Sequence, residues 1–364
     1  MRKWILLTAY CNQNLGDDLI IKILLERYPD YCFFYENWYN ESEASEFCKY
    51  ENFYNIKKYE KNVFRKQGNN SIIRRLQRII LERLIKRIRT KSIASVQVGG
   101  SMFIQRDDSV ARKRRYLLDY GPMFIIGANF GPYYSEDYVD GYKEFFKRCK
   151  SVVFRDKFSY QLFSELPNVE YASDVVFALE DTKRLDKPRN IVLVSVIDLS
   201  GRTELQQYKE VYESTIRSIC VDWTKKGKKV ILVSLCKNEG DEECINRVHE
   251  SLNFETRELV GKHFYRGNIK RTLQLFEEAE CVIATRFHAM ILAMQYDIPF
   301  FVFSYSPKIE NVLDDFGIKS YCRISSLSDS ILEQIPIKMI SLDFEKKKQM
   351  FINPFQRLDE FLDN

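Results

Sequence analysis

The feature that most constrains this chain is an alternation that runs along nearly its whole length. Short apolar runs end in polar or glycine-containing loops, and longer amphipathic stretches follow them. A short apolar run bounded by turn residues suits a strand buried on both faces, and a longer run with helical spacing suits the crossover to the next parallel strand. Together they predict βαβ units around parallel sheets. In a first series, strands are expected at residues 3–9, 31–35, 92–98, 123–127 and 151–154, with helices at 17–27, 108–119, 138–149 and 157–166. A polar stretch at 180–189 reads as a linker. A second series follows, with strands at 190–196, 229–235, 281–284 and 300–303 and helices at 206–225, 241–251, 269–278, 287–296 and 309–316. At 364 residues the chain exceeds one ordinary core. The expected fold is therefore α/β: two Rossmann-like domains, 1–180 and 190–335, with parallel sheets facing a central cleft. The remaining 336–364 has helical spacing over 344–362 and is expected to return to the first domain.

Composition excludes several function classes. A net charge of +5 is mild, and no zinc finger or RNA-recognition signature is present, so no nucleic-acid partner is expected. Nine cysteines without a C-x-x-C pair argue for reduced thiols rather than a disulfide framework or structural zinc. No carboxylate cluster calls for a metal, and no apolar run approaches the roughly 18 residues of a membrane span. The expected location is the cytoplasm.

The chemistry-bearing residues stand at strand ends, where α/β sheets bind ligands. Thr285-Arg286-Phe287-His288-Ala289 follows the strand at 281–284 and opens a helix. A helix start presents free N–H groups and the positive dipole end, and a guanidinium grips carboxylate or phosphate with paired bonds. Arg286 and His288 therefore mark an anion site, the plainer alternative being a structural arginine and a capping histidine. Lys308, after the next strand, is either a further cation for that site or a surface residue at a helix start. Asn14, Gly16 and Asp17 follow the first strand without a G-x-G-x-x-G fingerprint. Asp17 suits a first-turn or capping acid, or an acid that orients a hydroxyl. Gly99, Gly100 and Ser101 end another strand and let backbone approach a ligand. In Arg155-Asp156, Asp156 is expected to cap the next helix while Arg155 points into the crevice; Asp174 is expected to brace a domain. His249 and His263 read as surface histidines.

Residues 71–90 form a separate feature. Ile72, Ile73, Leu76, Ile79, Ile80, Leu84 and Ile88 share a helical face, opposite seven basic residues, with Glu82 the single acid. Such a helix lies in an anionic membrane surface or packs its apolar face on the domain with a solvated basic side.

These residues, in this order, resemble the polysaccharide pyruvyl transferase family. The resemblance rests on Asn14-Leu15-Gly16-Asp17-Asp18, Gly99-Gly100, Gly127 with Gly131-Pro132, Arg155-Asp156 with Ser159, Asp174, and Thr285-Arg286-Phe287-His288-Ala289 with Pro299. Ser101 stands where many relatives carry a third glycine. The resemblance implies a GT-B-like fold and transfer of pyruvate from phosphoenolpyruvate onto two hydroxyls of a sugar, in a cell-surface polysaccharide or its lipid-linked precursor. The products are a ketal and phosphate, and no cofactor is needed. It implies donor contact through Arg286 and Arg155, with Asn14, Gly16, Gly99, Gly100 and Ser101 as further substrate contacts; Lys308 is a candidate contact from its position alone. His288 becomes the acid or phosphate stabiliser, and Asp17 the group on the acceptor hydroxyl. A lipid-linked acceptor would bring the protein to the inner face of the membrane, through 71–90. The alternatives are a glycosyltransferase using a nucleotide sugar and a diverged glycan-binding relative without activity.

Overall fold

The computed structural model describes residues 2–35, 46–56, 71–105, 118, 121–180, 190–328, 338–342 and 349–363. Most of the helix expected at 108–119 and of the linker at 180–189 lies outside these residues. The chain forms two units, Met1–Asn12 with Asp17–Val175 and Ile352–Asn364, and Gln13–Gly16 with Val176–Phe351.

Unit 1 holds β1 (Lys3–Ala9), α1 (Leu15–Arg27), β2 (Tyr31–Tyr35), β3 (Phe53–Asn55), α2 (Ser71–Lys91), β4 (Ser92–Val98), β5 (Met123–Ala128), α3 (Glu136–Phe146), β6 (Ser151–Phe154), α4 (Lys157–Gln161) and β7 (Val169–Tyr171). Its sheet is parallel throughout, in the order β3-β2-β1-β4-β5-β6-β7. Every residue of β5 and β6 is buried, which is why these strands read as continuous apolar runs. An aromatic cluster covers them, with Phe130 and Phe163 ring centroids 4.8 Å apart and Phe146 and Phe163 4.9 Å apart. The edge strands β3 and β7 were not expected: each has three residues, too few to display a period.

Unit 2 holds β8 (Ile191–Ser195), α5 (Lys209–Lys225), β9 (Lys229–Ser234), α6 (Asp241–Glu250), α7 (Phe254–Leu259), β10 (Val260–Phe264), α8 (Ile269–Glu278), β11 (Ala279–Ala284), α9 (Phe287–Gln295), β12 (Phe300–Ser304), α10 (Pro307–Asp315) and β13 (Cys322–Arg323). Its parallel sheet runs β10-β9-β8-β11-β12-β13. Apart from the half-buried His288, all of α9 is buried, as its unbroken apolar sequence requires. In each sheet the chain winds outward from a first strand and then returns to its other side, so the winding reverses between β1 and β4 and between β8 and β11. Such reversal points leave a crevice at the strand ends.

Two boundaries differ from expectation. Residues 13–16 join unit 2, because Leu15 N–H donates to the Leu235 carbonyl (2.9 Å) and Lys237 N–H to that of Gln13 (3.2 Å). Of the helix expected at 344–362, the described residues are helical at 349–350 and in α11 (Gln356–Leu362), with residues 351–355 non-helical. Pro354 accounts for this, since a proline disfavours the helical conformation in the residue before it.

Asp359 ties α11 to unit 1, accepting from Arg27 Nε (3.0 Å) and Tyr28 Oη (2.7 Å). Burial pushes this carboxyl up, but the bonds from Arg27, Tyr28 and Asn353 outweigh it and hold it below the usual range. A depressed carboxylate contributes stability above its unfolded pKa and loses it as pH falls through the folded value. Asp359→Ala is expected to cost about 1–2 kcal/mol locally, read as faster amide exchange over 356–362 at neutral pH. The unsubstituted protein should approach that behaviour only below about pH 4.

Candidate functional site

In unit 2, β11 ends at Ala284 and α9 begins at Phe287, so Arg286 is the N-cap, with extended backbone (φ −72°, ψ 137°). Its N–H donates to Ser195 Oγ (3.3 Å) at the end of β8, across the reversal point. Thr285 Oγ1 lies 2.9 Å from the hydroxyl of fully buried Tyr212.

The Arg286 guanidinium turns inward. Nε donates to Asp241 Oδ2 (2.7 Å), Nη2 to Oδ1 of the same carboxylate, and Nη1 to Glu239 Oε2 (2.6 Å). The Arg286 side chain is 8% exposed and that of Asp241 0%, so the fork is a buried ion pair rather than an open clamp. The paired bonds that the sequence expected Arg286 to offer an anion go here to the Asp241 carboxylate. The reason is that the loop after β9 carries two acids, and a desolvated guanidinium is stable only when matched.

Glu239 is less buried and links Arg286 to an outer group of cations. Arg202 Nη2 donates to its Oε2 (2.6 Å). The Arg202 guanidinium lies 5.0 Å and Lys308 Nζ 5.4 Å from the centre of the Tyr305 ring. Burial pushes Glu239 up, but Arg286, Arg202 and Lys308 hold it at about 2. Burial likewise raises the Tyr305 hydroxyl, and Lys308, Arg286 and Arg202 bring it below its ordinary value. Arg286, Arg202 and Lys308 thus gather around Glu239 and Asp241 at the ends of β8, β9, β11 and β12.

His288 occupies the first turn of α9, its ring 5.1 Å from that of Phe287 and perpendicular to it. Against it packs Gly16: a Cβ there would lie 1.7 Å from His288 Nδ1. The loop from β1 is held in place by Asn14, whose Oδ1 accepts from Gly16 N–H (3.1 Å), the bond of a helix cap. Asn14 and Gly16, expected as substrate contacts, therefore set the start of α1 and the seat of the imidazole.

Unit 1 brings the other expected residues together. Arg155 follows β6 and is almost wholly buried, with Nη1 donating to Asp174 Oδ2 (2.9 Å) and Nη2 to Asn129 Oδ1 (2.9 Å). A Cβ on Gly100 would lie 2.4 Å from its Nη2, so this glycine makes room for the guanidinium. Arg155 is held between Asp174 and Asn129 at the strand ends, and Asp174 braces as expected. Ser101 Oγ donates to Asn129 Oδ1 (3.3 Å). Asp17, half-buried in the first turn of α1, has Oδ1 3.8 Å from the Cβ position of Gly99, whose φ of 139° suits glycine. Asp156 caps α4 as expected, accepting from Ser159 N–H (2.8 Å).

His249 and His263 are half-buried rather than on the surface, with Nε2 at 3.1 Å from the Val260 carbonyl and 2.8 Å from Thr272 Oγ1. Asp198, Glu213 and Cys244 converge within 4.8 Å, and Arg247 donates to both carboxylates.

The model of the polysaccharide pyruvyl transferase family matches residues 14–307, most of the chain. The chain belongs to this family, and it is a transferase by that membership. The matched span contains every expected site residue except Lys308, one position beyond it. Similarity to solved structures shows the same GT-B-like pair of parallel α/β sheets. Anabaena HepE in complex with UDP-glucose matches at 12% identity over 99% of both chains, with a TM-score of 0.58. UDP-GlcNAc 2-epimerase from Methanocaldococcus jannaschii matches at 10% over 100% and 99%, with 0.55. A putative UDP-N-acetylglucosamine 2-epimerase from Listeria monocytogenes matches at 12% over 99% and 95%, with 0.53.

Sequence reasoning did not single out Glu239, Asp241, Arg202 or Tyr305. The signal available was position: Glu239-Gly240-Asp241 follows an apolar run, as the other site loops do. Asp241→Ala, which strands the buried Arg286 charge, is expected to destabilise unit 2 by about 3–5 kcal/mol in urea unfolding. Gly16→Ala is expected to leave the fold in place and move the His288 ring, seen as a shift of its imidazole NMR signals.

Proposed function

We propose that this protein transfers pyruvate from phosphoenolpyruvate onto two hydroxyls of a sugar, in a cell-surface polysaccharide or its lipid-linked precursor. The observation that carries this reading within the family is the pair Arg202 and Lys308, placed beside Tyr305 and Glu239 next to the start of His288's helix. Phosphoenolpyruvate brings a carboxylate and a phosphate on one small skeleton, and a partly desolvated site must match both.

In this reading Lys308, Arg202 and the N–H groups at the start of α9 hold the donor, while Arg286 adds its charge from behind. The donor methylene takes a proton and C2 becomes electrophilic. One sugar hydroxyl attacks C2, the C2–O bond to phosphate breaks, and the second hydroxyl closes the ketal. Of the two hydroxyl protons, one balances the proton on the new methyl group and one leaves with phosphate. His288 is the candidate acid or phosphate stabiliser, and Asp17 the candidate for orienting or deprotonating the acceptor. The chemistry needs no redox step and no cofactor.

The test is phosphorus NMR of phosphoenolpyruvate with the protein and a panel of soluble and lipid-linked glycosides. Acceptor-dependent phosphate release is expected; release of nucleotide from sugar nucleotides instead would make the protein a glycosyltransferase. Glycan binding without turnover of either donor would make it a non-catalytic relative. His288→Asn is expected to lower phosphate release ~10²–10⁴-fold. Lys308→Gln should raise the donor KM about tenfold, the scale of one charged hydrogen bond. Near-normal turnover in the first variant would remove His288 from the chemistry, and an unchanged KM in the second would remove Lys308 from donor binding.

A further inference from the structure

α2 departs from the packing in which its whole apolar face covers the domain. Ile88 is 5% exposed and, with half-buried Ile85, packs into the core of unit 1. Ile80 and Leu84, which share the apolar stripe of the sequence with Ile88, are 66% and 41% exposed, and Ile79 is 38% exposed. Arg83, Lys86 and Arg87 are exposed as well. Positions 80, 83, 84 and 87 follow the i, i+3, i+4, i+7 spacing of one helical face. On the described part of α2, aliphatic and cationic side chains therefore interleave on the side turned from the core.

The charge is concentrated on this element. Residues 71–91 carry eight basic residues and one acid, a surplus of seven, whereas the whole chain has a surplus of five. The rest of the chain is net negative. A helix that served only as a solvated cover would expose charge and bury its aliphatic residues. This one exposes both.

We propose that α2 docks on an anionic lipid bilayer. Ile80 and Leu84 enter the boundary between headgroups and acyl chains, and Arg83, Lys86 and Arg87 extend to the lipid phosphates with their methylene stems along the apolar layer. Opposite charge selects the occupant, because an anionic bilayer complements the cationic side chains and its acyl layer accepts the exposed aliphatic residues beside them. The inference rests on α2 alone and is independent of the pyruvyl-transfer reading.

The experiment is co-sedimentation of the full chain with vesicles of phosphatidylcholine containing about one-third phosphatidylglycerol, against vesicles of phosphatidylcholine alone. Binding to the anionic vesicles is expected to be at least about tenfold stronger and to weaken with added salt. Arg83→Glu with Arg87→Glu should reduce it by about tenfold or more, from the loss and reversal of two charges near the surface. Ile80→Ser with Leu84→Ser, which keeps every charge, should also reduce it. Thermal unfolding of each variant checks that unit 1 stays folded, and phosphate release on a soluble acceptor should stay unchanged. Absence of binding to anionic vesicles would overturn the proposal. So would equal binding by the serine variant, which would mark a purely electrostatic surface, the expected behaviour of a nucleic-acid or acidic-protein contact.

Discussion

The buried guanidinium of Arg286 is the constraint on which the second sheet's strand ends depend. A charge taken out of water costs several kcal/mol unless matched, so Asp241 and Glu239 must stand where their bonds to it can form. Asp241, with no exposed side-chain surface, fixes the loop after β9, and the Arg286 N–H bond to Ser195 fixes the relation of β11 to β8. Three strand ends are thereby held around one group. His288 follows two residues later on the helix that Arg286 caps, and its seat against Gly16 follows from the same anchoring.

Unit 1 solves the equivalent problem in the same way. Arg155 lies buried between Asp174 and Asn129, and Gly100 yields the space its guanidinium fills. Both arginines look like ligand contacts in the sequence, and both act as internal struts. Beside the buried pair in unit 2, Arg202 and Lys308 lie near the Tyr305 ring, half-buried. Their position shifts the expected donor contact outward from Arg286, while its charge still contributes to the field there.

Most of the architecture was legible. Strands β1, β2, β4 and β6 lie at the residues expected of them, because burial on both faces leaves an apolar run with sharp polar ends. The edge strands β3, β7 and β13 were not legible, being two or three residues long, and neither was the five-residue edge strand β10, where Gly261, Lys262 and His263 break the apolar run. The loops of the candidate site were legible as strand ends rich in glycine and charge. The partners within them were not: Arg286 meets acids 45 and 47 positions away, and no local spacing encodes such a pairing. The stripe on α2 was legible as amphipathic, but whether Ile80 and Leu84 would be covered depended on where the core of unit 1 ends.

The sequence by itself determined the two parallel α/β sheets, the strand ends where its charged loops gather, and membership of the family. These follow from periodicity, turn chemistry and motif order, all of which are local. Only the tertiary structure decided what each charge does. It turned Arg155 and Arg286 into buried struts, made Asn14 a cap and Gly16 a seat for an imidazole, and set Lys308 and Arg202 beside Tyr305. The physical reason is that the state of a charge depends on its burial and its nearest opposite charge, and folding supplies both from distant parts of the chain.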